Sequence, residues 1–164
     1  MLFRSVSVPV LLHLFTQFPS LTKALVMVQA EVADRLAAEP GSRTYGVPSV
    51  KARWFGDVKK VATIGRNVFW PAPNVDSALV AIERHAVSPA DIAQKDLFAC
   101  IDAAFSQRRK MLRSALAQWA GSSAFAEADL TAAGIDPTVR GEQLSVQDFI
   151  TIVQSKSRRE AGEH

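Results

Sequence analysis

The segment that most constrains the fold of this chain is residues 67–80, where two aromatic residues precede a Pro-Ala-Pro sequence and a β-rich run follows. Each proline fixes its own φ near about −65° and disfavours helical geometry in the residue before it. Phe69 and Trp70 therefore lie on a stiff, non-helical loop, and the alternation over residues 75–82 predicts a buried strand after it. Two interpretations of the rings are open: they plug the top of the core, or they stack against a flat ligand such as a nucleobase.

The residues around this loop predict an α/β unit, because helical and strand periodicities alternate along them. We predict helices over residues 8–18, 30–38 and 48–55, and strands over residues 23–29 and 57–64. The apolar run over residues 23–29 has the length of a central strand covered on both faces. Because the last two strands are joined without a helix, we expect an antiparallel pair to close the sheet.

The second half of the chain predicts helices alone. The predicted organisation is a partial α/β domain at residues 1–84, a linker at 85–95, a helical domain at 96–155 and a frayed tail at 156–164. Apolar residues recur with a 3.6-residue period over residues 96–119, which predicts one continuous helix. Ser145 and Asp148 have the spacing of a capping box at the start of the last helix.

The composition excludes several classes of protein. Cys100 is the single cysteine and the three histidines are widely spaced, so neither a disulfide framework nor a metal site is expected. His13 lies in an apolar stretch and is expected to pack in the core. No apolar run reaches the roughly 18 residues of a membrane span, and no secretory signal is recognisable, so a cytoplasmic setting is expected. The net charge of +3 is compatible with a polyanionic partner.

Basic residues cluster in two places. The first cluster is Lys51, Arg53, Lys59, Lys60 and Arg66, and the second is Arg108, Arg109, Lys110 and Arg113. On a continuous helix, Arg109 and Arg108 would lie about 40° and 60° to either side of Phe105, and so would flank the apolar stripe. These guanidinium groups either meet carboxylates of the α/β unit or line a seam that binds a phosphate backbone. Lys110 and Arg113 project farther from the stripe and are the better phosphate candidates.

Four blocks of the sequence resemble the rRNA adenine dimethyltransferase family, in the family's order and across nearly all 164 residues. Residues 69–77, FWPAPNVDS, resemble its F-x-P-x-P-x-V-x-S loop. Residues 104–113, AFSQRRKMLR, resemble its F-x-Q-R-R-K helix. Residues 28–50 resemble the segment before the loop, and residues 140–145, RGEQLS, resemble its R-x-E-x-L-S turn. The bacterial branch that acts on small-subunit rRNA fits best.

The resemblance implies the C-terminal half of a Rossmann-like class I methyltransferase sheet, followed by a small all-helical domain that helps to dock RNA. It implies dimethylation of adenine amines in a hairpin loop of small-subunit (16S) rRNA, with S-adenosylmethionine as cofactor. The implied partners are small-subunit rRNA and the assembling small ribosomal subunit, without membrane or metal, and the full-length family member is expected to be monomeric. By the motif match, Phe69 stacks on the target base. The implied substrate-binding residues are Pro71, Pro73, Lys59, Lys60, Arg108, Arg109, Lys110 and Arg113.

The sequence departs from the family pattern upstream of these blocks. It has no Gly-rich strand-to-helix turn for the cofactor and no acidic residue at a following strand end for the ribose. The family's N-L-P-Y segment should precede residue 6, where residues 1–5 read MLFRS and only Leu2 agrees. We therefore expect the cofactor site to lie upstream of this chain, and the chain to be a truncated form that is inactive alone.

Two further expectations follow from this departure. One alternative function is a non-enzymatic rRNA-binding or ribosome-assembly module that kept the RNA-docking surface. The other expectation concerns stability: without the first strands of the sheet, the strand over residues 23–29 should expose an edge.

Overall fold

The computed structural model describes residues 6–162, which form two compact units. The α/β unit comprises the described residues up to Glu39 together with Arg43–Ser88. The helical unit comprises Pro40–Ser42 and the described residues from Pro89 onward. Residues 1–5, on which the N-L-P-Y comparison depends, lie outside the described residues.

The α/β unit is a three-stranded sheet with helices. Its elements are α1 (Ser7–Gln17), β1 (Lys23–Gln29), α2 (Ala30–Leu36), α3 (Val47–Phe55), β2 (Gly56–Ile64) and β3 (Ser77–Arg84). The strand order is β1-β3-β2, and β3 pairs antiparallel with both neighbours. The predicted α/β class and the antiparallel β2–β3 pair are confirmed.

One face of the sheet carries the core of this unit. Ala78, Val80 and Ile82 alternate along β3 and are almost completely buried, and α2 and α3 contact the β2 and β3 strands. Arg84, at the end of β3, fixes the C-terminus of α1. Its guanidinium donates a hydrogen bond to the carbonyl oxygen of Phe15 at 2.6 Å and lies 4.9 Å from the centre of the Phe15 ring. This contact satisfies a helix-terminal carbonyl that would otherwise have no partner.

The prediction that β1 is covered on both faces is wrong. Leu25 is 64% exposed and Met27 is 53% exposed, so no layer of described residues covers the face of β1 that carries them; β1 also pairs with β3 alone and lies at the edge of the sheet. Within the described residues β1 therefore has an exposed edge, as the sequence analysis expects. His13, which was expected to pack in the core, is exposed on α1.

The helical unit contains five α-helices within the described residues. They are α4 (Gln94–Ser106), α5 (Leu112–Ala115), α6 (Ala117–Ala120), α7 (Ser123–Ala132) and α8 (Val146–Gly162). The predicted continuous helix over residues 96–119 is wrong, because the chain leaves helical geometry at Gln107. Leu112 N–H donates to the Val139 carbonyl at 2.8 Å, and Arg113 N–H donates to the Pro137 carbonyl at 3.1 Å. These long-range bonds replace the i to i−4 bonds that a continuous helix would need.

The last helix begins as predicted. The Ser145 hydroxyl accepts a hydrogen bond from Asp148 N–H at 3.2 Å, and the Asp148 carboxylate accepts one from Ser145 N–H at 2.8 Å. This is the reciprocal geometry of a capping box. The tail expected to fray from residue 156 is instead helical through Gly162. Arg159 holds it, donating to both carboxylate oxygens of the buried Asp129 at 2.8 and 3.0 Å.

Candidate functional site

The aromatic-proline loop, residues 65–76, is held at its base by hydrogen bonds that involve backbone groups. A 3₁₀ turn at Arg66–Val68 opens it, and Phe69 N–H donates to the Arg66 carbonyl at 3.3 Å. Arg66 N–H donates to the Asp76 carboxylate at 3.0 Å, which closes the loop across its two ends. The Asp76 carbonyl accepts from Ala30 N–H at 2.9 Å, so the loop is also joined to the start of α2. The loop is therefore held both by a hydrogen bond between its own two ends and by a hydrogen bond to α2.

An open hollow of about 460 Å³ lies beside this loop. Its lining residues are Gln29, Ala30, Glu31, Arg66, Asn74, Val75 and Asp76. The volume is within the range of ligand-binding pockets, and the lining offers amide, carboxylate and guanidinium groups with two apolar side chains, Ala30 and Val75. Glu31 is also bonded to Arg35 at 2.9 Å, one helical turn along α2. The lining therefore presents both hydrogen-bond donors and hydrogen-bond acceptors to a ligand.

The two rings of the loop have different surroundings. Phe69 is half-buried, whereas Trp70 is 97% exposed, so the core-plug interpretation fails for Trp70. Phe69 is not one of the residues that line the hollow, although it belongs to the same loop. Pro71 and Pro73 are exposed, and the Trp70–Pro71 peptide bond is cis. For Phe69, both interpretations drawn from the sequence remain.

The two lysines expected to bind substrate lie on opposite faces of β2. Neighbouring side chains on a strand alternate in direction, so Lys59 and Lys60 do not share a surface. The Lys60 ammonium lies 2.8 Å from the Asp34 carboxylate of α2, on the face covered by that helix. Lys59 projects from the other face and is exposed. Of these two lysines, only Lys59 is not paired with an acidic side chain of the described residues.

In the second cluster, Arg108, Arg109 and Lys110 lie in a turn between α4 and α5, and Arg113 lies in α5. The Lys110 N–H donates to the Gln107 carbonyl at 2.8 Å, which defines that turn. The angles argued for a continuous helix therefore do not apply. Arg108 lies 3.7 Å from Glu142, and Arg113 lies 3.2 Å from Glu127.

These ion pairs divide the cluster in two. Arg108 and Arg113 do meet carboxylates, as one interpretation held, but both carboxylates belong to the helical unit and not to the α/β unit. Arg109 and Lys110 are exposed, and within residues 6–162 no carboxylate pairs with them. Arg109 and Lys110 are thus the members of the cluster best placed to meet phosphate.

Sequence reasoning missed the residues that line the hollow. Asp76 is also the residue that closes the loop, which the strand periodicity over residues 75–82 does not reveal. A signal was available: Gln29 and Glu31 lie in the block over residues 28–50, and Asn74 and Asp76 lie in the loop motif itself. Polar residues inside two motif blocks that meet in space would have identified the hollow.

The described residues do not fit the family's cofactor. Gln29 ends β1 and Ala30 begins α2 at once, so this strand-to-helix junction has no glycine loop whose amides could surround a ligand. No step of the chemistry is therefore assigned to residues of this chain acting on S-adenosylmethionine. Within residues 6–162 there is also no group of three His, Cys, Asp or Glu side chains that could hold a metal ion. No helix in the same range is long and apolar enough to cross a membrane.

Comparison with solved structures defines the class of fold. The chain superposes on the crystal structure of a dimethyladenosine transferase from Plasmodium falciparum with a TM-score of 0.82, at 21% identity, over 94% of this chain and 64% of that chain. It superposes on the crystal structure of the 23S rRNA methyltransferase ErmE with a TM-score of 0.61, at 18% identity, over 83% of this chain and 55% of that one. The fold is that of an α/β methyltransferase with a helical unit.

The family follows from sequence comparison. The family model described as ribosomal RNA adenine dimethylase matches residues 3–158, and the chain belongs to this family. It is 61% identical over 153 residues to a ribosomal RNA small subunit methyltransferase A from Streptomyces avermitilis, which covers 93% of this chain and 52% of the relative. The corresponding protein of Thermobifida fusca is 57% identical over 93% of this chain and 53% of its own length. The chain thus spans about half the length of the curated relatives that it matches.

Proposed function

We propose that this chain supplies the RNA-binding side of a small-subunit rRNA adenine dimethyltransferase acting in the cytoplasm during assembly of the small ribosomal subunit. Phe69 stacks on the target adenine, and Pro71 and Pro73 hold that base out of its stack. Arg109 and Lys110 contact phosphate, with Arg108, Arg113 and Lys59 as weaker contributors. The single observation that supports this proposal most is the open, polar hollow beside a hydrogen-bonded aromatic loop.

The chemistry of the reaction explains why such a loop is needed. An adenine amine is a poor nucleophile because its lone pair is delocalised into the ring, so the base must be extruded and held flat before it reacts. A half-buried ring on an immobile backbone can do this at a low entropic cost, because the loop is already ordered. Family membership supports adenine in rRNA as the base that is held.

The RNA-binding part of the proposal is tested with charge reversal in the exposed turn. Filter binding of the adenine-containing hairpin of small-subunit rRNA is measured over a salt series for wild type, Arg109→Glu and Lys110→Glu. Each variant should bind more weakly and lower the slope of log affinity against log salt by about 1, because one phosphate contact is lost.

A matched control is available on α4, the helix that precedes the basic turn. Lys95→Glu makes the same change of charge at the first turn of α4, about 17 Å along the helix from the basic turn. It is exposed and should leave the slope unchanged. Equal effects of Lys95→Glu and Lys110→Glu would show a general charge effect and contradict a docked turn.

The missing cofactor features support a second candidate, a non-enzymatic rRNA-binding module. We propose that the 164-residue chain alone neither binds S-adenosylmethionine tightly nor methylates RNA, since the β1–α2 junction has no glycine loop. Isothermal titration with the cofactor should give no heat of binding at micromolar protein concentration. Micromolar affinity would contradict this and favour an enzyme complete in itself. RNA binding without cofactor binding would favour the module.

A further inference from the structure

Trp70 is the most exposed of the large hydrophobic side chains described here, at 97%. A tryptophan side chain offers about 150–250 Å² of surface to bury, and in a folded protein most of that surface is usually covered. Val68, in the same loop, is 73% exposed. The tip of the loop therefore presents a large ring with no cover from the rest of the α/β unit.

The backbone that leads into Trp70 is held by hydrogen bonds, although the Trp70 ring is not covered. Val68 N–H donates to the Gly65 carbonyl at 3.1 Å, and the Asp76 carboxylate holds the start of the loop through Arg66 N–H. A ring that follows an already ordered backbone loses little conformational freedom when it binds a ligand. This is the arrangement of a stacking platform.

The side chains of Trp70 and Phe69 point in different directions. Phe69 has extended backbone geometry, with φ −102° and ψ 149°, and consecutive side chains of extended backbone point in opposite directions. The difference between a half-buried Phe69 and a 97% exposed Trp70 agrees with this. The two rings therefore do not hold the same base.

The charge around the loop indicates which kind of partner fits Trp70. Residues 59–76 carry three basic side chains, Lys59, Lys60 and Arg66, and a single acid, Asp76. The Asp76 carboxylate already accepts a backbone hydrogen bond. The net charge of this segment stays positive when Lys60, which pairs with Asp34, is left out, and an exposed aromatic ring on a positively charged segment suits a nucleobase with its phosphate.

We propose that Trp70 stacks on a second, unpaired nucleobase of the RNA loop, next to the base held by Phe69. This inference rests on the proposed function, since it takes single-stranded RNA as the ligand. Trp70 makes the protein prefer a target base that has an unpaired neighbour. Phe69 and Trp70 together thus define a site for two bases.

The test is a cycle between protein variants and RNA probes. The probes are the small-subunit rRNA hairpin and a set of hairpins that each lack one loop base. The variants are Trp70→Leu, which keeps apolar volume without the ring system, and Trp70→Tyr, which keeps a ring. Val68→Ser is the control for general apolar contact in the same loop. Because these side chains are exposed, circular dichroism should be the same for all four proteins.

Stacking predicts that Trp70→Leu weakens binding of the intact hairpin by about 5- to 150-fold, while Trp70→Tyr restores most of the affinity. Removal of one particular loop base should weaken wild type by a similar factor and have no further effect on Trp70→Leu. Val68→Ser should stay within about twofold of wild type. Tryptophan fluorescence should be quenched on binding in wild type, and much less so by the hairpin lacking that base.

Other results would overturn the proposal. Trp70 does not stack on a base if Trp70→Leu binds the hairpin as tightly as wild type. The same conclusion follows if the loss of affinity caused by Trp70→Leu adds to the loss caused by removing a loop base, whichever base is removed. Equal losses for Val68→Ser and Trp70→Leu would indicate general apolar contact with the RNA and contradict stacking on a base. The proposed function fails separately, if a hairpin of scrambled sequence binds as well as the rRNA hairpin. In that case a Trp70 effect confined to one loop base still supports stacking.

Discussion

Removal of the Asp129 carboxylate should strongly destabilise the helical unit. Asp129, on α7, is 2% exposed, and the side chain of its partner Arg159, on α8, is 18% exposed. Arg159 donates two hydrogen bonds to the carboxylate, at 2.8 and 3.0 Å, and a third to the Ala120 carbonyl at 3.3 Å. Its guanidinium also lies 4.4 Å from the centre of the Phe125 ring. Asp129→Ala would leave this cation without its counter-ion.

The expected cost follows from the burial of the pair. Breaking a buried ion pair by removing one partner costs about 3–5 kcal/mol, and the partial exposure of Arg159 places this pair near the lower end, at about 3 kcal/mol. Replacing both residues, in Asp129→Ala with Arg159→Met, should recover a large part of that cost. On the same helix, Glu127 pairs with Arg113, and the two side chains are 50% and 40% exposed. Glu127→Ala should cost no more than about 1 kcal/mol.

The thiol of Cys100 provides the assay. Cys100 is fully buried on α4, in the helical unit, so a thiol reagent labels it only when that unit opens. A destabilisation of about 3 kcal/mol should raise the labelling rate in native buffer by roughly 100-fold, whereas Glu127→Ala should raise it several-fold at most. If Asp129→Ala labels no faster than Glu127→Ala, the reasoning from the buried pair is wrong and the end of α8 is not held by Arg159.

Three further predictions concern other parts of the chain. Gly56→Ala should lower the free energy of unfolding by about 3 kcal/mol, because a Cβ at Gly56 would lie 2.1 Å from the Glu83 carbonyl oxygen of β3. Gly65→Ala is the control and should be neutral, because no atom lies within 4 Å of a Cβ at that position. Equal melting temperatures for the two variants would refute the clash. Burial, assisted by the nearby Asp129 carboxylate, raises the pKa of the Cys100 thiol. Native wild type should therefore resist alkylation at pH 8 and react at once in denaturant. Rapid labelling of the native protein would contradict this prediction. Wild type should self-associate through the exposed β1 strand, and Leu25→Lys with Met27→Lys should shift size-exclusion elution toward monomer. A wild type that elutes as a monomer at high concentration would refute this.

Local patterns predicted local structure well. The apolar run over residues 23–29 has the bounds of β1, because a short apolar segment followed by a helix-forming one allows few other arrangements. The capping box at Ser145 and Asp148 was also readable, since both partners lie within one helical turn of each other. In each case the interactions that decide the structure join residues close in sequence.

The errors have the opposite origin. The break after α4 depends on Leu112 N–H, which donates to the Val139 carbonyl, a partner that no helical periodicity can indicate. The tail beyond residue 156 was expected to fray because it is charged, yet Arg159 finds its counter-ion on α7. The hollow was missed for the same reason: Gln29 and Asn74 line it together although they are far apart in the chain. Composition shows that a residue is charged or polar but not which distant group satisfies it.

The contacts that shape the candidate base-binding loop all come from residues of this chain. Asp76 bonds to Arg66 within the loop and to Ala30 at the start of α2, and the strands on either side, β2 and β3, pair with each other. Each of these contacts joins two residues of the α/β unit, so we expect the loop to keep its shape without a methyl donor. The proposed function therefore predicts that this chain binds RNA whether or not a methyl donor is present.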